Sequence, residues 1–454
     1  MSIFKKYSYW VNSGKFTAFQ KFSTLIMGII SFMLLARILG PSGFGTWGLF
    51  LVISSITETA RTALIRNAFI RFINKSDHTE HPSLQGSAFL LSSFISAGLA
   101  ILFLALAYPA ATWLKAPGLA IMLQIYAIAM IVCVFFAHFE MLLNAKMDFK
   151  GVCWMYCMRQ GSLVLLIAIC FVFKTQVNFL ILSLFYLFSL VAGSIIGFQF
   201  SIPYLKLDIR DYRKWMKELW LFGRYVFGTN IFSLLFRSTD NFITSNKFGP
   251  GVSGYYNASL RIGNLVDLPS QVLGDILFPK AAKFDAAAIG DKGAIKNMYE
   301  KTVGAILLFS IPSLIVILAV PGPILYILAG KNFIVASSIL RITAFFGFTL
   351  PFLKQFGTIM DATGKPQLNA LVMFCAFVFN IGANMTGVYY FGVIGAALGT
   401  LTTYSCLFVV TQLIMYKKFG VTPLNIFKST MLLYKELFVS FRSFLKAKPS
   451  TPVS

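Results

Sequence analysis

Charged side chains inside long apolar segments are the residues of this sequence that are best suited to chemistry. Only 12% of the chain is charged, whereas 57% is hydrophobic, so an ionised group within an apolar run stands out. Four of the arginines in such runs are candidates for ligand binding: Arg61, Arg237, Arg261 and Arg341. A charge at the centre of a bilayer costs roughly 2.5–3.5 kcal/mol on insertion scales and is usually paired or functional. Since the planar guanidinium can donate two hydrogen bonds to one phosphate, these arginines predict an anion-binding lumen.

Acidic side chains share these apolar runs with the arginines. Four are candidates for binding H⁺ or Na⁺ and coupling transport to an ion gradient: Glu58, Asp240, Asp267 and Asp275. Pairing within a helix is the alternative, because Glu58 precedes Arg61 by three residues, as Arg237 precedes Asp240. The apolar runs hold six arginines against four or five acids, so we expect a surplus of positive charge after pairing.

The elements that must position these groups are predicted to be membrane-spanning helices. Runs of about 20 apolar residues recur from residue 16 to residue 416, and the short alternating strands of a barrel are absent from the sequence. Only helices can present such runs to lipid one after another. We therefore predict an all-α polytopic membrane protein of about twelve spans, near residues 16–38, 46–70, 86–108, 118–142, 154–173, 178–200, 222–246, 255–279, 302–322, 333–356, 368–390 and 393–416.

Basic residues in the predicted loops indicate the orientation of the chain. About 29 lysines and arginines, Arg159 and Lys354 among them, fall on the side that holds both termini, and about four fall on the other. By the positive-inside rule, both termini are expected in the cytoplasm. This distribution accounts for most of the net charge of +23 without a nucleic-acid partner. The six cysteines lie in apolar runs, so the sequence predicts neither a metal site nor a cofactor.

The motif Gly-Pro-x-x-x-Gly occurs twice, 209 residues apart. Its glycines and prolines are Gly40, Pro41 and Gly45 in the first copy and Gly249, Pro250 and Gly254 in the second. Because proline lacks a backbone donor and glycine tolerates positive φ, each copy is expected to be a tight turn between two long helices. We also expect these turns to serve as hinges. Their recurrence at the same place relative to the flanking helices indicates an internal duplication.

The duplication predicts two six-helix lobes of the same orientation, related by a pseudo-twofold axis along the membrane normal and enclosing a central cavity. We expect the N-terminal lobe at residues 1–203 and the C-terminal lobe at residues 222–420. The basic and aromatic segment 204–221 is expected to be an amphipathic linker on the cytoplasmic membrane surface. Residues 421–454 are expected to form an amphipathic tail with a disordered end.

Three segments of the chain resemble a known family of transporters. Segment 32–45 (FMLLARILGPSGFG) resembles the first-helix signature of Wzx-type polysaccharide flippases. Segments 249–261 (GPGVSGYYNASLR) and 323–333 (PILYILAGKNF) are similar to the second-lobe turn and the tenth-helix entry of that family. These flippases belong to the MOP superfamily, which also includes the lipid II flippases and the MATE drug exporters. The likeness covers about residues 15–420.

The resemblance implies a two-lobed flippase of the bacterial inner membrane that works by alternating access. Its implied cargo is an undecaprenyl-pyrophosphate-linked oligosaccharide, whose pyrophosphate would enter a cationic lumen while the lipid tail stays in the bilayer. Arg261 lies inside a matching motif, whereas Arg61 and Arg237 are candidates from the residues alone. Polysaccharide polymerase or chain-length machinery is the implied protein partner.

Two other functions compete with this interpretation. A MATE-like, cation-coupled drug antiporter would share the fold, although its cavity is expected to be acidic or neutral. A membrane-embedded glycan polymerase or glycosyltransferase is disfavoured, because the predicted external loops are short and hold almost no acids. We therefore expect a transporter and not an enzyme.

Overall fold

The computed structural model of the protein describes residues 3–74, 76–267, 289–363 and 365–446. Within these ranges the chain is helical and contains no strand. The helices of the first part of the chain are α1 (Ile3–Ile73), α2 (His81–Trp113), α3 (Gly118–Ala145), α4 (Phe149–Val172), α5 (Phe179–Ser201), α6 (Tyr212–Phe248) and α7 (Pro250–Gly263). Those that follow are α8 (Ile289–Ala319), α9 (Pro321–Ala329), α10 (Ser337–Ala362), α11 (Pro366–Phe419) and α12 (Pro423–Lys446).

Eight of the described helices are long and apolar enough to cross a membrane. Two of them, α1 with 71 residues and α11 with 54, bend at glycines with positive φ, at Gly40 (63°) and Gly392 (60°). At 1.5 Å per residue, each has room for two spans of a hydrocarbon core that is about 30 Å thick. The prediction of an all-helical polytopic membrane protein is confirmed, whereas the number of twelve spans stays a prediction.

The chain packs as two compact units. The first comprises Met1–Asn257 with Tyr326–Phe333, and the second comprises Ala258–Leu325 with Ile334–Ser454. In the first unit, α1 packs against α3, α4 and α6, and α3 also packs against α2 and α5. In the second unit, α8 packs against α10 and α12, and α10 packs against α11. The predicted lobes and linker, divided at residues 203, 221 and 420, stay a prediction.

Both Gly-Pro motifs form sharp changes of direction, as the sequence predicts. Gly40 has φ 63° and interrupts α1, and Pro41 begins its second half. Gly249 has φ 82° and ends α6, and Pro250 begins α7. Positive φ costs glycine no steric energy, and proline is favourable at the first position of a helix because its missing N–H would be unpaired there in any case. Whether these turns act as hinges stays a prediction.

The two motifs also contact each other within the first unit. A Cβ atom at Gly45 would overlap the carbonyl oxygen of Pro250. A Cβ atom at Gly254 would overlap the carbonyl oxygen of Pro41. The contact is therefore reciprocal, and backbone meets backbone where the two copies of the motif cross.

The segment joining the two predicted lobes begins with a short 3₁₀ turn, Ile202–Tyr204, and then becomes the first turns of α6. Trp215 and Leu219 of these turns are buried in a cluster with Phe69 and Leu84. Residues 212–221 are thus continuous with the helix that follows them. Near the C-terminus, α12 buries Ile426 and Thr430, whereas other apolar side chains on it are exposed.

Candidate functional site

Glu58 and Arg159 form an ion pair inside the first unit. Glu58 lies on α1 after the Gly40 bend, and Arg159 lies in the interior of α4. Both terminal nitrogens of the guanidinium donate to the carboxylate, one at 3.2 Å to Oε2 and the other at 2.9 Å to Oε1. This bidentate geometry is the strong form of an arginine–carboxylate contact.

Helix caps and a glycine contact set the positions of α4 and α5 around this pair. Asp148 caps α4 by accepting a hydrogen bond from a first-turn amide at 3.0 Å. Asn178 caps α5 in the same way, at 2.8 Å. A Cβ atom at Gly193 on α5 would come within 2.9 Å of the Arg159 Cβ, so glycine permits the close approach of the two helices. The guanidinium is thereby directed at α1 from a fixed register.

Tyr186 on α5 is the third member of this network. Its hydroxyl donates to Glu58 Oε1 at 2.7 Å and accepts from Arg159 Nη2 at 3.0 Å. The guanidinium also lies over the ring of Phe136, 4.9 Å from its centroid. Further rings pack against Tyr186, namely those of Trp47, Phe50 and Tyr126. The side chains of Arg159 and Glu58 remain 16% and 23% exposed, so this pair borders open space.

Arg61 lies close to Glu58 along α1 but has different partners. Its side chain is buried and donates at 2.7 Å to the carbonyl oxygen of Cys133 and at 3.4 Å to the hydroxyl of Ser92. Glu58 therefore pairs with Arg159 and not with Arg61, the partner that the sequence offered as an alternative. We call Glu58, Arg61, Arg159 and Tyr186 the Glu58 cluster. With Glu58 and both arginines charged and Tyr186 neutral, it carries one negative and two positive charges among apolar helices.

A second ion pair joins α1 to α3. Arg66 contacts Glu140 of α3 at 3.3 Å. His138, two residues earlier on α3, is buried against the rings of Phe69 and Phe89. Neither ring nitrogen of His138 has a hydrogen-bond partner among the described residues. Arg66 is therefore a paired arginine, and it gives a natural control for experiments on Arg159.

Asp240 is a buried acid on α6 whose partners are neutral. It accepts hydrogen bonds from the hydroxyl of Tyr256 at 2.7 Å and from the amide of Asn241 at 2.9 Å. Arg237, three residues earlier, has an exposed side chain. These contacts give no support to the alternative in which Arg237 and Asp240 neutralise each other.

In the second unit, Asp267 forms an ion pair with Lys354. Asp267 closes the 3₁₀ turn Asn264–Asp267 after α7 and is buried. The Lys354 ammonium, from the interior of α10, contacts its Oδ2 atom. Arg261 on α7 is partly buried and Arg341 on α10 is exposed. The remaining predicted acid, Asp275, lies outside the described residues.

The two halves of α11 are joined by a buried polar network that the sequence did not reveal. Asn384 donates to the side-chain oxygens of Asn380 at 2.7 Å and of Thr400 at 3.0 Å. Thr403 donates to the same Asn380 oxygen at 3.1 Å. The network couples the halves of the helix on either side of the Gly392 bend.

Comparison with known proteins identifies the family of the chain. Residues 34–338 match the family described as "Polysaccharide biosynthesis protein". The chain belongs to this family. Among the relatives of the chain is a Shigella flexneri protein named "Putative O-antigen transporter", which is 24% identical over 393 residues that cover 82% of this chain and 90% of the relative.

Solved structures show the fold of this polysaccharide biosynthesis protein. An inward-facing MATE-family transporter of the MOP superfamily matches with a TM-score of 0.76 at 15% identity, covering 88% of this chain and 94% of its own. The lipid II flippase MurJ in an inward closed conformation matches with a TM-score of 0.72 at 16% identity, covering 96% of this chain and 93% of its own. The fold that the resemblance to MOP transporters implied is confirmed.

Two residues of the site contradict the loop count made from the sequence. Arg159 and Lys354 were predicted among the cytoplasmic loop cations, yet both lie inside long helices and pair with acids. The prediction of loop positions for them was wrong, because cations near the end of an apolar run look like loop cations in the sequence. Each contacts an acid within its own unit of this family member.

One signal in the sequence could have identified the two paired acids. Glu58 and Asp267 are 209 residues apart, the same separation as Gly45 and Gly254. The predicted duplication would therefore place an acid at the same position of both copies, and each acid is paired with a cation of its own unit.

Proposed function

We propose that the protein is a flippase that moves a lipid-linked oligosaccharide across the bacterial inner membrane by alternating access. Membership of a polysaccharide biosynthesis family and the fold of MOP transporters support this function. So does the relative whose name describes O-antigen transport. The single observation that carries the proposal is the Glu58 cluster, which holds two arginines and one acid among apolar helices.

The cargo proposed is an oligosaccharide on undecaprenyl pyrophosphate. Its pyrophosphate is anionic, and arginine binds phosphate oxygens in pairs. Arg61, Arg237, Arg261 and Arg341 are the proposed phosphate contacts, which need not all act in one conformation. The bilayer accommodates the lipid tail, so the protein needs to enclose only the head group and the sugars.

An ion gradient is proposed to drive the cycle. Glu58, Asp240 and Asp267 are candidates for the group that binds H⁺ or Na⁺, and Asp275 is a further candidate outside the described residues. Acids held inside a membrane protein are typical of proton and ion pathways. Both termini are proposed to lie in the cytoplasm. Polysaccharide polymerase or chain-length machinery is the proposed protein partner.

Deletion of the protein tests this function. We expect lipid-linked oligosaccharide to accumulate on the cytoplasmic leaflet and surface polysaccharide to disappear, as measured by extraction of lipid-linked intermediates and by surface staining. The trapped glycan would name the substrate. Normal surface polysaccharide together with new sensitivity to cationic dyes would refute the proposal and favour the drug antiporter.

A further inference from the structure

Arg159 is an arginine of the first unit that binds a carboxylate through both terminal nitrogens of its guanidinium, the geometry in which arginine also binds phosphate. Its guanidinium grips two oxygens of one carboxylate, at 2.9 and 3.2 Å. We propose that Arg159 is a diphosphate-binding residue that exchanges the Glu58 carboxylate for phosphate oxygens when the lipid carrier binds. This inference rests on the proposed function. It adds to the proposed phosphate contacts a residue that the sequence placed in a cytoplasmic loop.

The geometry of the pair suits such an exchange. A carboxylate and a phosphate each present two oxygens to the two parallel N–H groups of arginine. The incoming phosphate therefore needs no new orientation of the guanidinium. The hydroxyl of Tyr186, now 2.7 Å from Glu58, can donate to a phosphate oxygen in the same place. The released Glu58 is then available for the coupling ion.

Arg159 is held in place by contacts other than the ion pair. The ring of Phe136 lies under its guanidinium at 4.9 Å, and the ring of Tyr186 lies at 5.7 Å. Gly193 brings α5 against the base of its side chain. Because a cation is attracted to an aromatic face independently of its counter-ion, Arg159 keeps its position when Glu58 leaves.

Side-chain exposure distinguishes Arg159 from Arg61, the more deeply buried arginine of the cluster. The side chains of Arg159 and Glu58 are 16% and 23% exposed, so an anion can approach the pair. Arg61 is 3% exposed and is bound to the backbone of α3. In this conformation Arg61 therefore contributes positive charge without contacting the ligand, whereas Arg159 can contact it.

The test is a binding measurement on the full-length protein in lipid nanodiscs. Farnesyl diphosphate, a short water-soluble prenyl diphosphate, serves as the probe, and its Kd is measured by isothermal titration calorimetry. Arg159→Gln should weaken binding by about tenfold to a hundredfold, because a bidentate bond to a charged group is lost. Glu58→Gln should tighten binding by about tenfold, because it removes the charged competitor.

Arg66→Gln is the matched control. It removes the same charge from the same unit and also leaves a glutamate without its partner, Glu140. Its Kd should stay within about twofold of the wild type, since we assign Arg66 no ligand. Arg159→Lys keeps the charge but lacks the two parallel N–H donors of the guanidinium, and should weaken binding by about tenfold. It covers the case in which Arg159→Gln fails to fold, which size-exclusion chromatography would reveal.

Two results would overturn the exchange. If Arg159→Gln, or Arg159→Lys in its place, binds farnesyl diphosphate as tightly as Arg66→Gln does, then Arg159 does not hold the diphosphate. If Glu58→Gln weakens binding, then Glu58 positions Arg159 and does not compete with the ligand. Failure of the wild type to bind the probe at all would instead contradict the substrate class of the proposed function.

Discussion

Replacement of Gly45 by alanine tests the backbone contact between the two copies of the repeated motif. A Cβ atom there would overlap the carbonyl oxygen of Pro250 and lie 2.8 Å from the amide nitrogen of Gly254. Both neighbours are backbone atoms, so no side-chain rotation can relieve the overlap and the helices must separate. Overpacking of this kind costs about 1–3 kcal/mol. Alanine recovers up to about 1 kcal/mol of helix propensity, so we expect a net loss of about 1–2 kcal/mol.

The assay is thermal unfolding of the purified full-length protein in detergent, followed by intrinsic fluorescence. The apparent Tm of Gly45→Ala should fall by several degrees, since 1 kcal/mol corresponds to about 2–4 °C in a unit of this size. Gly98→Ala on α2 is the control, because a Cβ atom there meets nothing within 4 Å. Its Tm should stay unchanged or rise slightly.

Equal Tm values for the two variants would refute the contact. The double variant Gly45→Ala with Gly254→Ala gives a further check. Since both substitutions separate the same two helices, the second should cost less than it does alone. A strictly additive loss would mean that the two glycines lie in independent contacts.

Two further predictions concern charged residues of the second unit. Asp267→Asn should destabilise the protein by about 3–5 kcal/mol, because it removes the carboxylate that pairs with the Lys354 ammonium. The double variant Asp267→Asn with Lys354→Met should recover part of this loss in the same unfolding assay. No recovery would mean that the two residues do not act as a pair. Arg261→Ala should abolish complementation of a flippase-null strain while the protein stays in the membrane fraction, and Lys435→Ala on the exposed surface of α12 should complement fully. Full complementation by Arg261→Ala would contradict its proposed contact with phosphate.

Local signals in the sequence predicted the elements correctly where one segment carries the whole signal. The apolar runs predicted an all-helical membrane protein, because a backbone in lipid must satisfy its hydrogen bonds internally. Gly40 and Gly249 predicted the sharp turns, because glycine tolerates positive φ. The structure shows φ values of 63° and 82° at these positions, which are strained for other residues. The early start of α6 at Tyr212 depends on packing, which these local signals do not contain.

The charge pairs could not be predicted in the same way. Glu58 and Arg159 are 101 residues apart, and Asp267 and Lys354 are 87 residues apart. Such pairs form between helices, whereas a single sequence reveals only neighbours three or four residues apart on one helix. The pairing of Glu58 with Arg61 was therefore the natural hypothesis, and it failed because Arg61 found neutral partners on neighbouring helices.

Glu58 and Asp267 differ in side-chain exposure, and we expect this difference to decide which of them can serve a coupling ion. The Glu58 side chain is 23% exposed, whereas that of Asp267 is 4% exposed. An ion that enters from water must reach the carboxylate, so we expect coupling at Glu58 and a structural role for Asp267. Treatment of the folded protein with a water-soluble carbodiimide and an amine, followed by mass spectrometry, should label Glu58 before Asp267. Faster labelling of Asp267 would reverse the assignment, because reaction requires the same access that the ion needs.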